Sequence, residues 1–145
     1  MRVDFYLLSR DPVEAALPQI ARSVKAAGGR LLVVSADEEQ RAALDRALWE
    51  QFPEEFLAHG HAGQGHEDRQ PLLLSPTCEA QNGARFIAFA DGDWREEAFG
   101  FDRAFLFFDQ QTIGGARGTW RMLGESESVE RHFWKQEGGR WIEGP

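Results

Sequence analysis

The first half of the chain alternates between two hydrophobic patterns. Residues 3–8 form a short apolar run, and residues 30–34 form a second run that is typical of a fully buried strand. Asp11, Pro12 and Glu14 predict the start of a helix between them, because an acid often caps a helix and proline suits its first position. Apolar residues then recur at helical spacing, at Val13, Ala16, Leu17, Ile20, Val24 and Ala27. The pattern predicts a β-α-β unit.

The remainder of the chain continues this alternation. Asp37 is expected to cap a second helix that ends near Gln51, and residues 52–70 show no sustained period and predict a long loop. A further helix is expected from about Thr112, and residues 128–141 predict a closing strand or hairpin. Two more runs, which are rich in aromatic residues, predict buried strands at residues 85–89 and 103–108, and the long loop leads into a short apolar run at residues 71–74. Strands that alternate with helices favour an α/β fold with a parallel sheet.

The composition narrows the class of protein. Because 42% of its 145 residues are apolar, the chain is expected to fold as one domain, residues 1–145, around its own core. The N-terminal apolar run ends at Leu8, which is too short for a membrane span, and no small-residue cleavage site follows it. Cys78 is the only cysteine, which excludes an internal disulfide and a thiolate-rich zinc site. We therefore expect a cytoplasmic protein without membrane contact.

Charge and missing motifs disfavour several functions. The formal net charge of -8 argues against direct nucleic-acid binding, because affinity for phosphates depends on many lysine and arginine contacts. The β-α-β opening raises a nucleotide-binding module as one hypothesis, but the chain has no glycine-rich phosphate loop. There is no G-x-S-x-G motif, and the scattered carboxylates single out no catalytic pair. We expect a protein that has neither catalytic activity nor a cofactor.

A histidine-containing loop supports an alternative from a different functional class. His59, His61 and His66 lie close to Glu67 and Asp68, and these residue types bind divalent metals. A metal-dependent hydrolase that uses the three histidines is therefore the alternative function. Against it, the loop is rich in glycine, whereas catalytic metal sites hold their ligands on rigid elements. Our primary expectation is that no metal is bound.

An aromatic residue of the second helix does not fit the buried stripe. Trp49 lies about 140° around the helix axis from Leu44, which belongs to that stripe. One interpretation is that the following segment, with Phe52 and Phe56, folds back and covers Trp49. The other is an exposed aromatic patch that binds a protein, since tryptophan is enriched at interaction hot spots.

The last helix carries a pair of like charges. Arg117 and Arg121 are four residues apart, and such pairs cost about 0.2–0.5 kcal/mol in a helix. An anionic partner would relieve this repulsion. The alternative is a solvated basic face above Trp120, which belongs to the apolar stripe of the same helix.

Several segments, taken in order, resemble the chi subunit of bacterial DNA polymerase III. They are Phe5-Tyr6-Leu7-Leu8, Leu44-Asp45-Arg46-Ala47-Leu48-Trp49, Phe56 followed by His59, Ala62-Gly63-Gln64-Gly65, Ala116-Arg117-Gly118-Thr119-Trp120-Arg121 and Phe133-Trp134-Lys135. The resemblance extends over nearly the whole chain. It implies a three-layer, Rossmann-like α/β fold, with a mainly parallel sheet, helices on both faces and no nucleotide-binding loop.

The resemblance also implies a role and partners. It implies a non-catalytic accessory subunit of the clamp-loader assembly, which binds the acidic, phenylalanine-ended C-terminal tail of single-stranded-DNA-binding protein and links it to the replisome. Arg117 would pair with the terminal carboxylate of the tail, and Arg121 and Trp120 would line the pocket. Trp49 and Phe56 would form the surface for the psi subunit, another clamp-loader component or a helicase. Ile113 departs from the family pattern, since some members place a lysine of the tail site there.

Overall fold

The computed structural model describes residues 1–144, which form eight strands and three α-helices. The strands are β1 (Arg2–Leu7), β2 (Leu31–Val34), β3 (His59–His61), β4 (Leu72–Ser75), β5 (Phe86–Phe89), β6 (Arg103–Phe108), β7 (Glu130–Glu137) and β8 (Arg140–Glu143). The helices are α1 (Val13–Ala26), α2 (Glu38–Glu50) and α3 (Ile113–Gly124). Two short 3-10 helices, Glu67–Arg69 and Glu96–Gly100, lie between strands.

The strands form one sheet in the order β3-β4-β2-β5-β6-β1-β7-β8. Every neighbouring pair is parallel except β7 and β8, which form an antiparallel hairpin at one edge. All residues of β2 and β4 are buried, as expected for strands that are covered on both faces. The predicted α/β fold with a mainly parallel sheet is confirmed.

Helices cover both faces of the sheet. α1 and α2 pack on one face, where Leu17 and Leu44 join buried strand residues such as Leu72. α3 packs on the other face through Ala116 and Leu123. Because the side chains of a strand alternate between faces, the sheet separates two apolar cores. This arrangement confirms the three-layer, Rossmann-like prediction, and of the three helices only α3 lies on its face.

The start of the first helix differs from the prediction, whereas the start of the second agrees with it. α1 begins at Val13, and Pro12 occupies the capping position without a side-chain hydrogen bond. Asp11 does not cap α1, because its carboxylate instead accepts a hydrogen bond of 3.0 Å from the side-chain amide of Gln136 in β7. Asp37 caps α2 as predicted, accepting a hydrogen bond of 2.9 Å from the backbone N–H of Glu39.

The predicted long loop at residues 52–70 contains a strand, so that prediction was partly wrong. β3 pairs with β4 and forms the sheet edge opposite to the hairpin. Its sequence, His59-Gly60-His61, lacks the β-branched and aromatic residues that indicate a strand. The pairing with β4, rather than local propensity, therefore makes this segment extended.

The closing hairpin is confirmed. β7 and β8 are joined by Gly138 and Gly139, whose φ angles are 58° and 78°. A two-residue hairpin turn of type I′ requires positive φ at both central residues, and glycine adopts this conformation without strain. The two glycines therefore fix the register that places Lys135 opposite Ile142.

Candidate functional site

A cavity of about 350 Å³ opens between α3 and the sheet. Three neighbouring strands, β6, β1 and β7, supply its floor, and α3 supplies its wall. The lining residues are Phe5, Leu7, Phe108, Ile113, Ala116, Arg117, Trp120 and Phe133. Arg117 is the only charged residue among them, so the cavity is an apolar slot with one cationic group.

The two arginines of α3 have different positions relative to this cavity. Arg117 lines it and is exposed, whereas Arg121 is exposed one helical turn further on and does not line it. Within residues 1–144 neither side chain forms an ion pair with a carboxylate. The structure therefore brings Arg117 and Trp120 together at the cavity and leaves Arg121 beside it.

Trp120 is held in place from two sides. Its ring packs edge-to-face on Phe5, with the ring centroids 5.1 Å apart. The guanidinium of Arg131 in β7 lies 4.3 Å from the Trp120 ring centroid and donates a hydrogen bond of 2.7 Å to the Trp120 carbonyl oxygen. Gly124 leaves space for this arginine, because a Cβ atom there would lie 2.7 Å from the Arg131 Nη1 atom. No sequence pattern singles out Arg131, which fixes one wall of the cavity.

Trp49 and Phe56 form a second surface, which lies across the sheet from α3. Their side chains are 46% and 66% exposed, and their ring centroids are 5.5 Å apart. Phe52 packs against the core instead of covering Trp49. The guanidinium of Arg22 lies over the Phe52 ring, 4.7 Å from its centroid. Phe56 contacts Trp49 but leaves it exposed, so the hypothesis of an exposed aromatic patch describes this region better than the covered alternative.

Two histidines of the predicted metal loop meet a carboxylate of α2. His59 is buried, and its Nε2 and Nδ1 atoms lie 2.6 Å from Asp45 Oδ1 and 2.8 Å from the Leu57 carbonyl oxygen. His61 Nε2 is 3.4 Å from the same oxygen of Asp45. His66 is exposed and does not join them, and residues 1–144 hold no cluster of three or more His, Cys, Asp or Glu that suits a metal ion. Nothing in this arrangement supports the metal-dependent hydrolase.

The ring of His59 instead supports the aromatic surface. Its centroid lies 4.4 Å from that of Trp49, so the tryptophan rests on a histidine that is held at both nitrogens. Asp45 was not singled out as a functional residue in the sequence. Its contact with His59 depends on the pairing of β3, which no local pattern indicates.

A buried ionic cluster joins the three strands below the cavity on their opposite face. Asp4 of β1 is fully buried and accepts hydrogen bonds from Arg2, Arg103 and the indole N–H of Trp134. Burial alone would raise the pKa of Asp4, but the hydrogen bonds from Arg103, Arg2 and Trp134 outweigh it and hold that pKa below its ordinary value. Asp4 is therefore ionised and connects β1 to β6 and β7.

Residues 1–131 match a family model that is described as DNA polymerase III chi subunit, HolC. The chain belongs to the DNA polymerase III chi subunit family. Two curated relatives carry the name DNA polymerase III subunit chi. The protein from Escherichia coli (strain K12) is 36% identical over 78 residues, which cover 49% of this chain and 53% of the relative. The protein from Haemophilus influenzae is 28% identical over 74 residues, which cover 49% and 51%.

Membership of the chi subunit family confirms the resemblance that the motifs indicated. The alignments span about half the length of these curated relatives. Membership supports an accessory role in DNA replication, and it agrees with a protein that is not an enzyme. None of the helices in residues 1–144 has the length and apolar character that a membrane crossing requires.

Proposed function

We propose that this chi-family chain is a non-catalytic accessory subunit of the clamp-loader assembly. In this proposal, the cavity beside α3 binds the acidic C-terminal tail of single-stranded-DNA-binding protein, and the surface formed by Trp49 and Phe56 binds the psi subunit or another clamp-loader component. The chain then links the tail to the replisome. The single observation that carries the proposal is the apolar cavity with Arg117 as its only charged lining residue.

The cavity suits the end of such a tail on chemical grounds. A terminal phenylalanine side chain gains free energy on leaving water for an apolar slot. A guanidinium binds a carboxylate through two parallel hydrogen bonds, and Arg117 has no competing carboxylate within residues 1–144. Arg117 therefore pairs with the terminal carboxylate, while Trp120 forms the wall against which the phenylalanine packs.

Arg121 acts in the same site at a longer distance. It lies one helical turn, or about 6 Å, from Arg117 along α3, which is within the Debye length of about 8 Å at physiological salt. It is exposed, so its interaction with an acidic tail is screened and contributes less than that of Arg117. The main effect of Arg121 is to offset the net charge of -8, which repels an acidic tail.

Fluorescence anisotropy tests the tail site. The probe is a labelled acidic peptide that ends in phenylalanine with a free carboxylate. Arg117→Ala is expected to weaken its binding by about tenfold or more, because a hydrogen bond to a charged group contributes about 1.5–3 kcal/mol. Arg46→Ala, which removes an exposed arginine of α2 on the opposite face, is the matched control and should leave the affinity unchanged.

The same experiment includes two changes to the peptide. Amidating its C-terminus removes the carboxylate, so the amidated peptide should bind weakly to the native protein and to Arg117→Ala alike. Replacing its terminal phenylalanine by alanine should also weaken binding. An unchanged affinity for Arg117→Ala, or binding that does not weaken as salt rises, would contradict the assignment of this site.

The aromatic surface suits a second protein partner. Exposed aromatic side chains supply large contact areas at a small entropic cost, and Trp49 and Phe56 lie next to each other. The double variant Trp49→Ala and Phe56→Ala is expected to lose co-purification with the psi subunit while it still binds the tail peptide. Phe99→Ala removes a third aromatic side chain, which is 48% exposed and lies outside both surfaces, and serves as the control. Retained psi binding by the double variant would refute this assignment.

A further inference from the structure

The sheet face that forms the cavity floor continues beyond the cavity into the β7–β8 hairpin. Phe133 lines the cavity, and Lys135 lies two residues later in β7, so both side chains point to the same face. Lys135 is also paired with Leu7, another lining residue, in the neighbouring strand β1. On its other side, Lys135 is paired with Ile142 of β8, which is 39% exposed.

The hairpin separates its charges between its two faces. Lys135 and Arg140 lie on the same face of the sheet as the cavity. Among the paired residues of β7 and β8, Glu137 is the one acidic residue on that face. On the opposite face, Glu130 and Glu143 both contact His132. Although the whole chain is acidic, two basic residues, Lys135 and Arg140, and one acidic residue, Glu137, lie beside the apolar cavity on this face. The excess of positive charge there suits an anionic ligand.

We propose that the acidic residues that precede the terminal phenylalanine of the tail cross the hairpin and contact Lys135, with Arg140 beyond it. This inference rests on the proposed function, because it needs the phenylalanine in the cavity beside α3. Adjacent strands are about 4.8 Å apart, and an extended peptide advances about 3.3 Å per residue. Acids within about two to four positions of the terminal phenylalanine therefore reach Lys135.

Lys135 has a competitor in the free protein. Its Nζ atom lies 3.2 Å from Glu137 Oε1, and both side chains are about half exposed, at 42% and 56%. An exposed ion pair of this kind is weak and exchanges readily with solvent. A carboxylate of the tail replaces Glu137 as the partner of Lys135, so removing the charge of Glu137 favours the tail.

The family match covers residues 1–131, and Lys135, Glu137 and Arg140 lie beyond it. The hairpin therefore adds selectivity for acidic residues to a cavity that recognises only the end of the tail.

A comparison of two peptides tests this inference. Both end in phenylalanine with a free carboxylate, and one has its upstream acids replaced by their amides. Lys135→Gln is expected to weaken binding of the acidic peptide by about two- to fivefold and to leave the amide peptide unaffected. Glu137→Gln is expected to strengthen binding of the acidic peptide by a similar factor. Arg69→Gln, which removes an exposed arginine remote from α3, controls for net charge.

The outcomes separate this inference from the proposed function. If Arg117→Ala weakens binding of both peptides while Lys135→Gln affects them equally or not at all, the hairpin contact is refuted and the cavity remains. A selective loss for the acidic peptide with Arg121→Gln, but not with Lys135→Gln, also refutes it, because the acids then run along α3. If Arg117→Ala leaves both affinities unchanged, the proposed function itself fails.

Discussion

At the scale of single residues, Asp4 is the buried charge that the sheet depends on. Asp4→Asn is expected to lower the free energy of unfolding by about 3 kcal/mol, because it removes one partner from a buried ion cluster and leaves Arg2 and Arg103 without a carboxylate. Urea unfolding measures this loss. Asp102→Asn, in the exposed pair with Arg85, is the control and should change stability little.

Asp4 also makes the stability of the protein depend on pH in the acid range. Because the folded protein holds the pKa of Asp4 below the ordinary 3.8, the stabilisation is complete above that pH and is lost as pH falls through the folded-state pKa. Asp4→Asn should therefore flatten the acid limb of the stability profile. An unchanged profile would show that other carboxylates determine acid unfolding.

In the proposed binding surface for the psi subunit, His59 supports the ring of Trp49. His59→Gln should weaken psi binding although Trp49 and Phe56 remain, because the tryptophan loses the ring that supports it at 4.4 Å. His61→Gln is the matched control, since His61 makes only the longer 3.4 Å contact with Asp45. Titration of each variant with purified psi subunit measures the effect on affinity. Equal affinities for the two variants would mean that His59 supports the fold alone.

At the scale of elements, the contact between β7 and β8 through His132 depends on pH. His132 of β7 contacts Glu143 of β8 and Glu130, and both ring nitrogens donate only when the imidazole is protonated. Hydrogen bonds from His132 to Glu143 and to Glu130 raise the pKa of His132 above the ordinary 6.5. The stabilisation is therefore complete below about pH 6.5 and is lost as pH rises through the folded-state pKa.

Hydrogen exchange checks this connection. Protection of the β8 amides, corrected for intrinsic exchange, should decrease in the native protein as the pH rises above about 6.5 and through the folded-state pKa of His132. In His132→Gln it should be low throughout that range. Asp4 and Arg2 also interact with His132, but both stay charged over this pH range. They therefore shift the pH at which His132 loses its proton and add no second transition. A pH-dependent loss that persists in His132→Gln would assign the effect to another group.

Three glycines of α3, Gly114, Gly115 and Gly118, weaken that helix without a packing reason. A Cβ atom at Gly115 would meet nothing within 4 Å, and this residue lies in the first turn of the helix. Gly115→Ala should therefore raise stability by about 0.5–1 kcal/mol and the Tm by about 2–4 °C. Gly92→Ala is the contrasting variant, since Gly92 has a φ of +81° and a Cβ atom there would lie 2.8 Å from Thr112. A Tm for Gly115→Ala that is lower than the Tm of the native protein, measured by thermal unfolding, would contradict this argument.

The parts of the fold that follow from local pattern were predictable from the sequence. The leucine and valine run of β2 indicates a buried parallel strand without tertiary information. β3 was missed because its extended conformation comes from pairing with β4. The partners of Asp4 were missed for a similar reason, since Arg103 and Trp134 lie 99 and 130 residues away in sequence. Such contacts depend on strand order, which one sequence does not specify.

At the scale of the whole molecule, the two proposed surfaces are far apart. The cavity lies on the α3 face near the hairpin, whereas Trp49 belongs to α2 on the opposite face and rests on His59 of β3, at the far edge of the sheet. No described element belongs to both surfaces. A rigid sheet that separates two binding surfaces suits a protein that joins two partners, because each partner has its own side of the molecule.

This separation predicts that the two proposed partners bind independently. Saturation with the acidic tail peptide should change the affinity for psi subunit by less than about twofold, since distant sites without shared contacts contribute additively within about 0.5 kcal/mol. Calorimetric titration of psi into the protein, with and without the peptide, measures the coupling. Arg117→Ala should leave psi affinity unchanged, and the double variant Trp49→Ala and Phe56→Ala should leave tail affinity unchanged. Coupling stronger than this would contradict the prediction. It would mean that the sheet has two conformations, and that each partner binds one of them more tightly than the other.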